Sequence, residues 1–156
     1  MKTQYLTKDN LHLISAGILA KVKPFAKSYK PVLDTARMAL IIIDMQRVFC
    51  EKGGKGFVPS AQAIIPGILE LQKHCLSKGI PVYLSRHVNT QENAGMMGVR
   101  WKEIIQEDDP WSEIIPELQH PEAKILKKNQ FDAFYNTELE EALKSSNIHQ
   151  LVITGV

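Results

Sequence analysis

Apolar and polar positions divide this chain into a short amphipathic prelude and a longer alternation of strands and helices. Residues 8–22 bring Leu11, Ile14, Ile18, Leu19 and Val22 onto one face at a 3.6-residue period. That spacing predicts a helix, with Thr7 or Asp9 as its N-cap. Pro24 and Pro31 then mark an irregular connector. From Met38 the pattern changes. Met38-Ala39-Leu40-Ile41-Ile42-Ile43 is continuously apolar and rich in β-branched residues, as expected of a strand covered on both faces. A helix is predicted near Ile65–Ser77, with Pro66 in its first turn and Lys78-Gly79 closing it. Ile80–Ser85 reads as a second strand, its proline near the start where a missing N–H matters least. Residues 89–120 are less regular, with a short helix expected around Val99–Gln106. Ala123–Lys127 is a third strand. Thr137-Glu138-Leu139-Glu140 reads as a capping box opening a helix to about Ser146, and Gln150–Thr154 is a fourth strand.

Strand–helix–strand spacing with buried, branched strands predicts an α/β fold. The expected form is a doubly wound parallel sheet in a Rossmann-like three-layer α/β/α arrangement. Open sheets of this kind usually hold five or six strands, and four are legible here. The fourth ends at Thr154-Gly155-Val156, so the C-terminal strands are expected to be missing from this chain. The expected division is an N-terminal helical arm over 1–37 and an incomplete α/β domain over 38–156.

Composition narrows the class. The 156 residues carry 44% hydrophobic and 23% charged positions, ordinary for a globular protein with a core. The longest apolar run, Met38–Ile43, falls far short of the roughly 18 residues of a membrane span. The N-terminus lacks the apolar stretch of a secretory signal, and two cysteines make no disulfide framework, so a cytoplasmic location is expected. The net charge of +2 implies no nucleic-acid partner, but it is unevenly spread. Residues 1–37 hold seven basic side chains (Lys2, Lys8, Lys21, Lys23, Lys27, Lys30, Arg37) against Asp9 and Asp34. Their net is +5, which leaves −3 for the remainder. Such an arm reads as a solvated helix face packed on its own domain or on a partner subunit.

In a parallel sheet all strands point their C-terminal ends one way, and ligands bind beyond those ends. The strand ends therefore nominate the site: Asp44, then Arg86-His87, then Lys127-Lys128, then Gly155-Val156. Asp44 follows a run of large apolar residues, and a partly desolvated carboxylate resists ionisation unless a cation answers it. Lys128 is the candidate answer. The pair suits general acid–base work, and reads equally as a structural ion pair. Gly53-Gly54-Lys55-Gly56 lacks the spacing of a phosphate loop and reads as a flexible loop. The five histidines form no i,i+4 pair and no carboxylate cluster, so no metal and no cofactor are expected. Cys50 and Cys75 read as packing residues, with Cys50 the weaker alternative as a nucleophile. Trp101 and Trp111 either wall a pocket or anchor loops.

Leu40–Phe49 resembles the opening strand of the isochorismatase-like cysteine hydrolases, an apolar run closed by D-M-Q-x-x-F. Pro81–His87, Leu126–Phe134 and Leu151–Val156 are similar to that family's next three strands, in order, and residues 1–37 lie outside the resemblance. The resemblance implies that Asp44 transfers protons and that Lys128, rather than Lys127, is its cationic partner. It implies a thiol nucleophile a few residues after the Thr-Gly-Val turn, beyond Val156, with an oxyanion held at the turn begun by Gly155 and Val156. It also implies a small-molecule substrate, either an amide C–N bond or a vinyl ether, and a homo-oligomer. The Asp-x-His metal motif of the nicotinamidases is lacking after strand one. Phe49, Arg86, Trp101 and Phe131 are the expected substrate-binding residues, chosen by position. Two other readings stand beside this one: a non-catalytic assembly module, and a flavodoxin-like binding domain with the 53–56 loop near an anion.

Overall fold

The computed structural model describes residues 4–26, 32–101 and 103–156. Pro31 of the expected connector, and Lys2, Lys27 and Lys30 of the basic arm, lie outside the described residues. Four strands form one sheet: β1 (Met38–Ile43), β2 (Val82–His87), β3 (Lys124–Lys128) and β4 (Gln150–Gly155). Their order is β3-β2-β1-β4 and every pairing is parallel. The doubly wound sheet follows from the strand pattern: β1 lies at the centre and all of its first five residues are buried.

Alternation along the strands sorts the core into two layers. Leu40, Ile42, Val82 and Leu84 face α3 (Ala61–Ser77), whose Ile65, Ile68 and Cys75 pack against them. Ala39, Ile41, Tyr83 and Leu126 face the opposite side, covered by Leu139 and Leu143 of α5 (Leu139–Ser145). A side-chain period of two makes this division automatic once the strands are paired. Each such buried Leu or Ile contributes about 1.5–3 kcal/mol.

Several local expectations are corrected. The helix foreseen near residue 65 begins at Ala61, so Pro66 stands in its second turn. Burial of Ala61, Ala63 and Ile65, and a bond from Gln62 Nε2 to Cys50 O (2.5 Å), hold the extra turn despite the proline. The helix expected over 99–106 is displaced to α4 (Met96–Arg100). A reciprocal Thr90–Asn93 turn precedes α4, while Ile105 O accepts from Asn89 N (2.7 Å) and draws the later segment into the core edge. The capping box is only half made. Thr137 Oγ1 accepts from Leu139 N (3.3 Å), but Glu140 pairs forward with Lys144 at 2.6 Å. A short helix, α2 (Arg47–Cys50), follows β1 without having been foreseen.

The N-terminal helix α1 (Leu11–Val22) starts three residues later than the apolar period predicts. A reciprocal Thr7–Asn10 turn precedes it, Thr7 N donating to Asn10 Oδ1 (2.7 Å) and Asn10 N to Thr7 Oγ1 (3.2 Å), and Asn10, not Thr7 or Asp9, stands at its N-cap without a side-chain bond to the helix. None of its residues is fully buried: Leu11 and Ile14 are half-buried and the rest of the helix is exposed.

Candidate functional site

The C-terminal edge of the sheet gathers charged and polar side chains from β1, β2 and β3. Asp44 directly follows β1 in the left-handed region (φ 51°), which costs a non-glycine residue energy and which Asp tolerates better than most. Ser85 of β2 holds it there. The Ser85 hydroxyl accepts from Asp44 N (3.0 Å) and donates to Asp44 Oδ1 (2.6 Å). Lys128, at the end of β3, donates from Nζ to Asp44 Oδ2 (2.8 Å) and to Gln130 O (3.2 Å). The Lys128 side chain is 2% exposed and that of Asp44 is 17% exposed. The ion pair is thus largely withdrawn from water, where Coulomb attraction is screened least. Strand alternation separates the two lysines: Lys127 points the other way and pairs with Glu107.

Buried polar residues fix the neighbouring backbone. Gln46 is fully buried and uses both ends of its amide on His87, accepting from His87 N (2.8 Å) and donating to His87 O (2.9 Å). It also donates to Ser112 O (2.7 Å). His87 pairs in register with Lys128 and its Nε2 lies 2.7 Å from Asn89 Oδ1. Burial holds the His87 imidazole below its ordinary range, and the Lys128 ammonium adds to this, against the pull of the Asn89 bond and the Asp44 charge. Of these, His87 is nominated from sequence as the end of the second strand, whereas Ser85, Gln46 and Asn89 are not among the residues nominated. The available signal was spacing: Ser85 and His87 share a strand face, and Gln46 lies two residues beyond Asp44.

A cleft of about 300 Å³ opens over this edge. Asp44 and His87 line it together with Phe49, Trp101, Phe131 and Val156. Phe49 and Trp101 meet edge to face, with ring centroids 6.3 Å apart. The structure therefore brings Asp44, Lys128, Phe49, Trp101 and Phe131 together. It does not bring Arg86 to the cleft. That guanidinium is buried in a separate knot with Ser112 O, Ser112 Oγ, Glu107 O and Glu113 Oε1. Gly155 (φ 125°) passes so close to β1 that an added Cβ would lie 2.1 Å from Ile43 O. The N–H of Val156 donates to Ile43 O (3.1 Å), so that amide is spent on the sheet.

The remaining candidates fall into place around the cleft. Cys50 is fully buried against Met45, and burial, helped by Glu117 and Glu51, pushes its thiol up to about 12. Cys75 is buried and its thiol is likewise raised by burial. Neither is a ready thiolate. In the 53–56 loop, an added Cβ at Gly54 would strike Val48 O and one at Gly56 the Phe49 ring, so these glycines serve close packing on α2. Trp111 lies over the Arg47 guanidinium, 5.6 Å to its ring centroid, and anchors its loop. Among the described residues no three His, Cys, Asp or Glu side chains cluster as a metal site would require, and no helix is long and apolar enough to cross a membrane.

Comparison with known proteins bears on the family and the fold. Enterobactin synthase component B of Escherichia coli is 32% identical over 124 residues, covering 77% of this chain and 43% of that protein. N-carbamoylsarcosine amidase of an Arthrobacter species is 28% identical over 128 residues, covering 76% of this chain and 48% of that enzyme. The chain thus spans under half the length of these two relatives. Among solved structures, a cysteine hydrolase from Pseudomonas syringae pv. phaseolicola superposes with a TM-score of 0.78 at 27% identity, covering 83% of this chain and 65% of that one. The family model for the isochorismatase domain matches residues 38–156, from the first residue of β1 through β4, and this chain belongs to that family.

Proposed function

We propose that this protein is a hydrolase that cleaves the C–N bond of a small amide, or alternatively opens a vinyl ether, with Asp44 as proton-transfer group and Lys128 as its cationic partner. The observation that carries the reading is the Asp44–Lys128 pair, 2.8 Å apart at the mouth of an aromatic cleft on the C-terminal edge of a parallel sheet. Phe49, Trp101 and Phe131 then hold the body of the substrate. Because Cys50 and Cys75 are buried with raised thiols, the amide reading takes its nucleophile from a cysteine standing after the Thr154-Gly155-Val156 turn. Family resemblance supports that position.

In the amide reaction Asp44 accepts the thiol proton, and the thiolate attacks the carbonyl carbon. The C–N bond breaks as Asp44 returns the proton to the departing amine, and water then hydrolyses the thioester to the acid. In the vinyl-ether reaction Asp44 delivers its proton to carbon, water adds to the resulting oxocarbenium carbon and returns a proton to Asp44, and the ether C–O bond of the hemiketal so formed breaks to release a ketone and an alcohol, so no thiol is needed. Ser85 and Lys128 between them occupy one lone pair on each carboxylate oxygen and set the direction in which Asp44 faces the cleft.

Intact mass of the protein purified from its own cells, followed by a screen of small amides and isochorismate, tests the reading. Hydrolysis that falls at least 10³-fold in Asp44→Asn and in Lys128→Met supports it. A mass ending at Val156 together with no turnover of any substrate refutes it. That outcome leaves the second reading, a non-catalytic assembly module, which the two buried thiols favour.

A further inference from the structure

One wall of the cleft comes from a stretch without regular structure. Between α4 and the turn at Pro110–Ser112 the described residues form neither helix nor strand, yet Glu103, Ile104 and Ile105 line the cleft from this stretch. Backbone of this kind has no ladder of its own, so its place is set by the groups that reach it. Two ties lie within the wall. Glu103 pairs with Lys55, but both side chains are exposed and such a pair holds little. Ile105 O accepts from Asn89 N (2.7 Å) at the end of β2.

The third tie is the buried guanidinium of Arg86. Its Nη2 lies within hydrogen-bond distance of Glu107 O (2.7 Å), Ser112 Oγ (2.6 Å) and Glu113 Oε1 (2.8 Å), and its Nε donates to Ser112 O (3.1 Å). Ser112 Oγ in turn donates to Glu107 O (3.1 Å). The two ends of this loop do not depend on Arg86 equally. Ser112 and its neighbours are also held by Gln46 Nε2 on Ser112 O (2.7 Å), by Arg47 N on Glu113 O (2.8 Å) and by Ile115 N on Met45 O (3.0 Å). The bonds to Glu107 O come from Arg86 and the Ser112 hydroxyl. Lys127, the register partner of Arg86, reaches Glu107 through its exposed carboxylate.

We infer that Arg86 is a positioning residue for the cleft: it ties Glu107 to the firmly held Ser112 and so fixes where Ile104 and Ile105 stand against the substrate. Arg86 touches no substrate itself. A lysine cannot take its place, because a single ammonium on a flexible stem does not span a carbonyl, a hydroxyl and a carboxylate as a planar fork does. The inference takes the cleft to be the substrate site, as proposed above, and is independent of which reaction occurs there.

Residue-resolved amide hydrogen exchange of the full chain, with calorimetry of benzamide binding, tests this. The Asn89 amide is the reporter, since its bond to Ile105 O lasts only while the wall is in place. The Val88 amide, bonded to Lys128 O (2.9 Å), is the control beside it. Arg86→Lys is expected to speed exchange at Asn89 about tenfold, leave Val88 unchanged and weaken benzamide binding about tenfold. Lys127→Met is expected to stay within about twofold of the native chain in both readouts. Ser112→Ala keeps the guanidinium and Glu113 and removes only the hydroxyl; it is expected to speed Asn89 exchange about threefold, and it decides the matter if Arg86→Lys does not fold. Unchanged exchange at Asn89 overturns the inference. Equal acceleration at Asn89 and Val88 does so too, because Arg86 would then support the fold at large, as does faster exchange at Asn89 with benzamide affinity intact. A native chain that binds no benzamide counts against the amide reading of the cleft, while Asn89 exchange still decides the role of Arg86 in its wall.

Discussion

Replacing Asp44 by Asn isolates the charge of the buried pair from its geometry. Asn is nearly the same size and tolerates the left-handed φ of 51°, so the backbone term is held constant. What changes is that the Lys128 ammonium, 2% exposed, loses its counter-charge and keeps only neutral acceptors, Gln130 O among them. Uncompensated burial of one member of such a pair costs about 3–5 kcal/mol, and retained hydrogen bonds place this case near 3. For a chain of this length that is a fall of roughly 6–12 °C in the thermal midpoint. Lys128→Met reverses the exposure: it leaves Asp44, 17% exposed and still bonded to Ser85, and is expected to cost only about half as much. The double variant removes both charges and is expected to be more stable than Asp44→Asn alone. Urea unfolding at neutral pH, with slopes compared across variants, measures all three. Equal losses for the two single variants, or strict additivity in the double, would refute the claim that burial of the lysine charge dominates.

Three further outcomes follow from the same geometry. His87, held below its ordinary value of about 6.5 by burial and Lys128, takes up protons less readily folded than unfolded; stability is therefore present in full above that pH and falls as pH drops through it, and His87→Gln flattens this part of the pH–stability curve. A native chain whose urea midpoint is unchanged between pH 7.5 and 5.5 contradicts it. Cys50 and Cys75 are expected to resist a disulfide thiol reagent for minutes in the folded chain and to react together once it is denatured; an immediate native reaction at either would show that the core around α3 is open. Among the described residues the charged side chains lining the cleft, Asp44 and Glu103, are both carboxylates, paired with Lys128 and Lys55, so calorimetry is expected to find benzamide bound at least tenfold more tightly than benzoate, and equal affinities would exclude charge selection.

The strands were legible because their signal is local and dense. Met38–Ile43 matches its observed bounds, and the other three strands shift or extend by two residues or fewer. Topology then carried Asp44 and Lys128 to one edge, since parallel strands with helical crossovers leave little freedom in where their ends lie. What the pattern missed depended on contacts distant in sequence. Arg86 reads as a cleft residue by position, yet Ser112 and Glu113 claim its guanidinium. Gln46 enters the sequence reading only as one letter of the D-M-Q-x-x-F pattern, yet its amide splices β2 to the 112 loop. The apolar period of α1 predicted a helix and left open whether its own domain or a partner subunit covers it, because periodicity records which face is to be covered and not by what.

Strand order has a consequence for the making of the protein. β1 takes its neighbours from residues 82–87 on one side and 150–155 on the other. A ribosome therefore releases the central strand long before its second neighbour exists. Throughout that interval six uncharged residues, Met38–Ile43, present an open edge to any extended chain nearby. Chaperone demand and loss to aggregation should then peak during synthesis of the segment between β2 and β4, and slow translation there is where yield is lost.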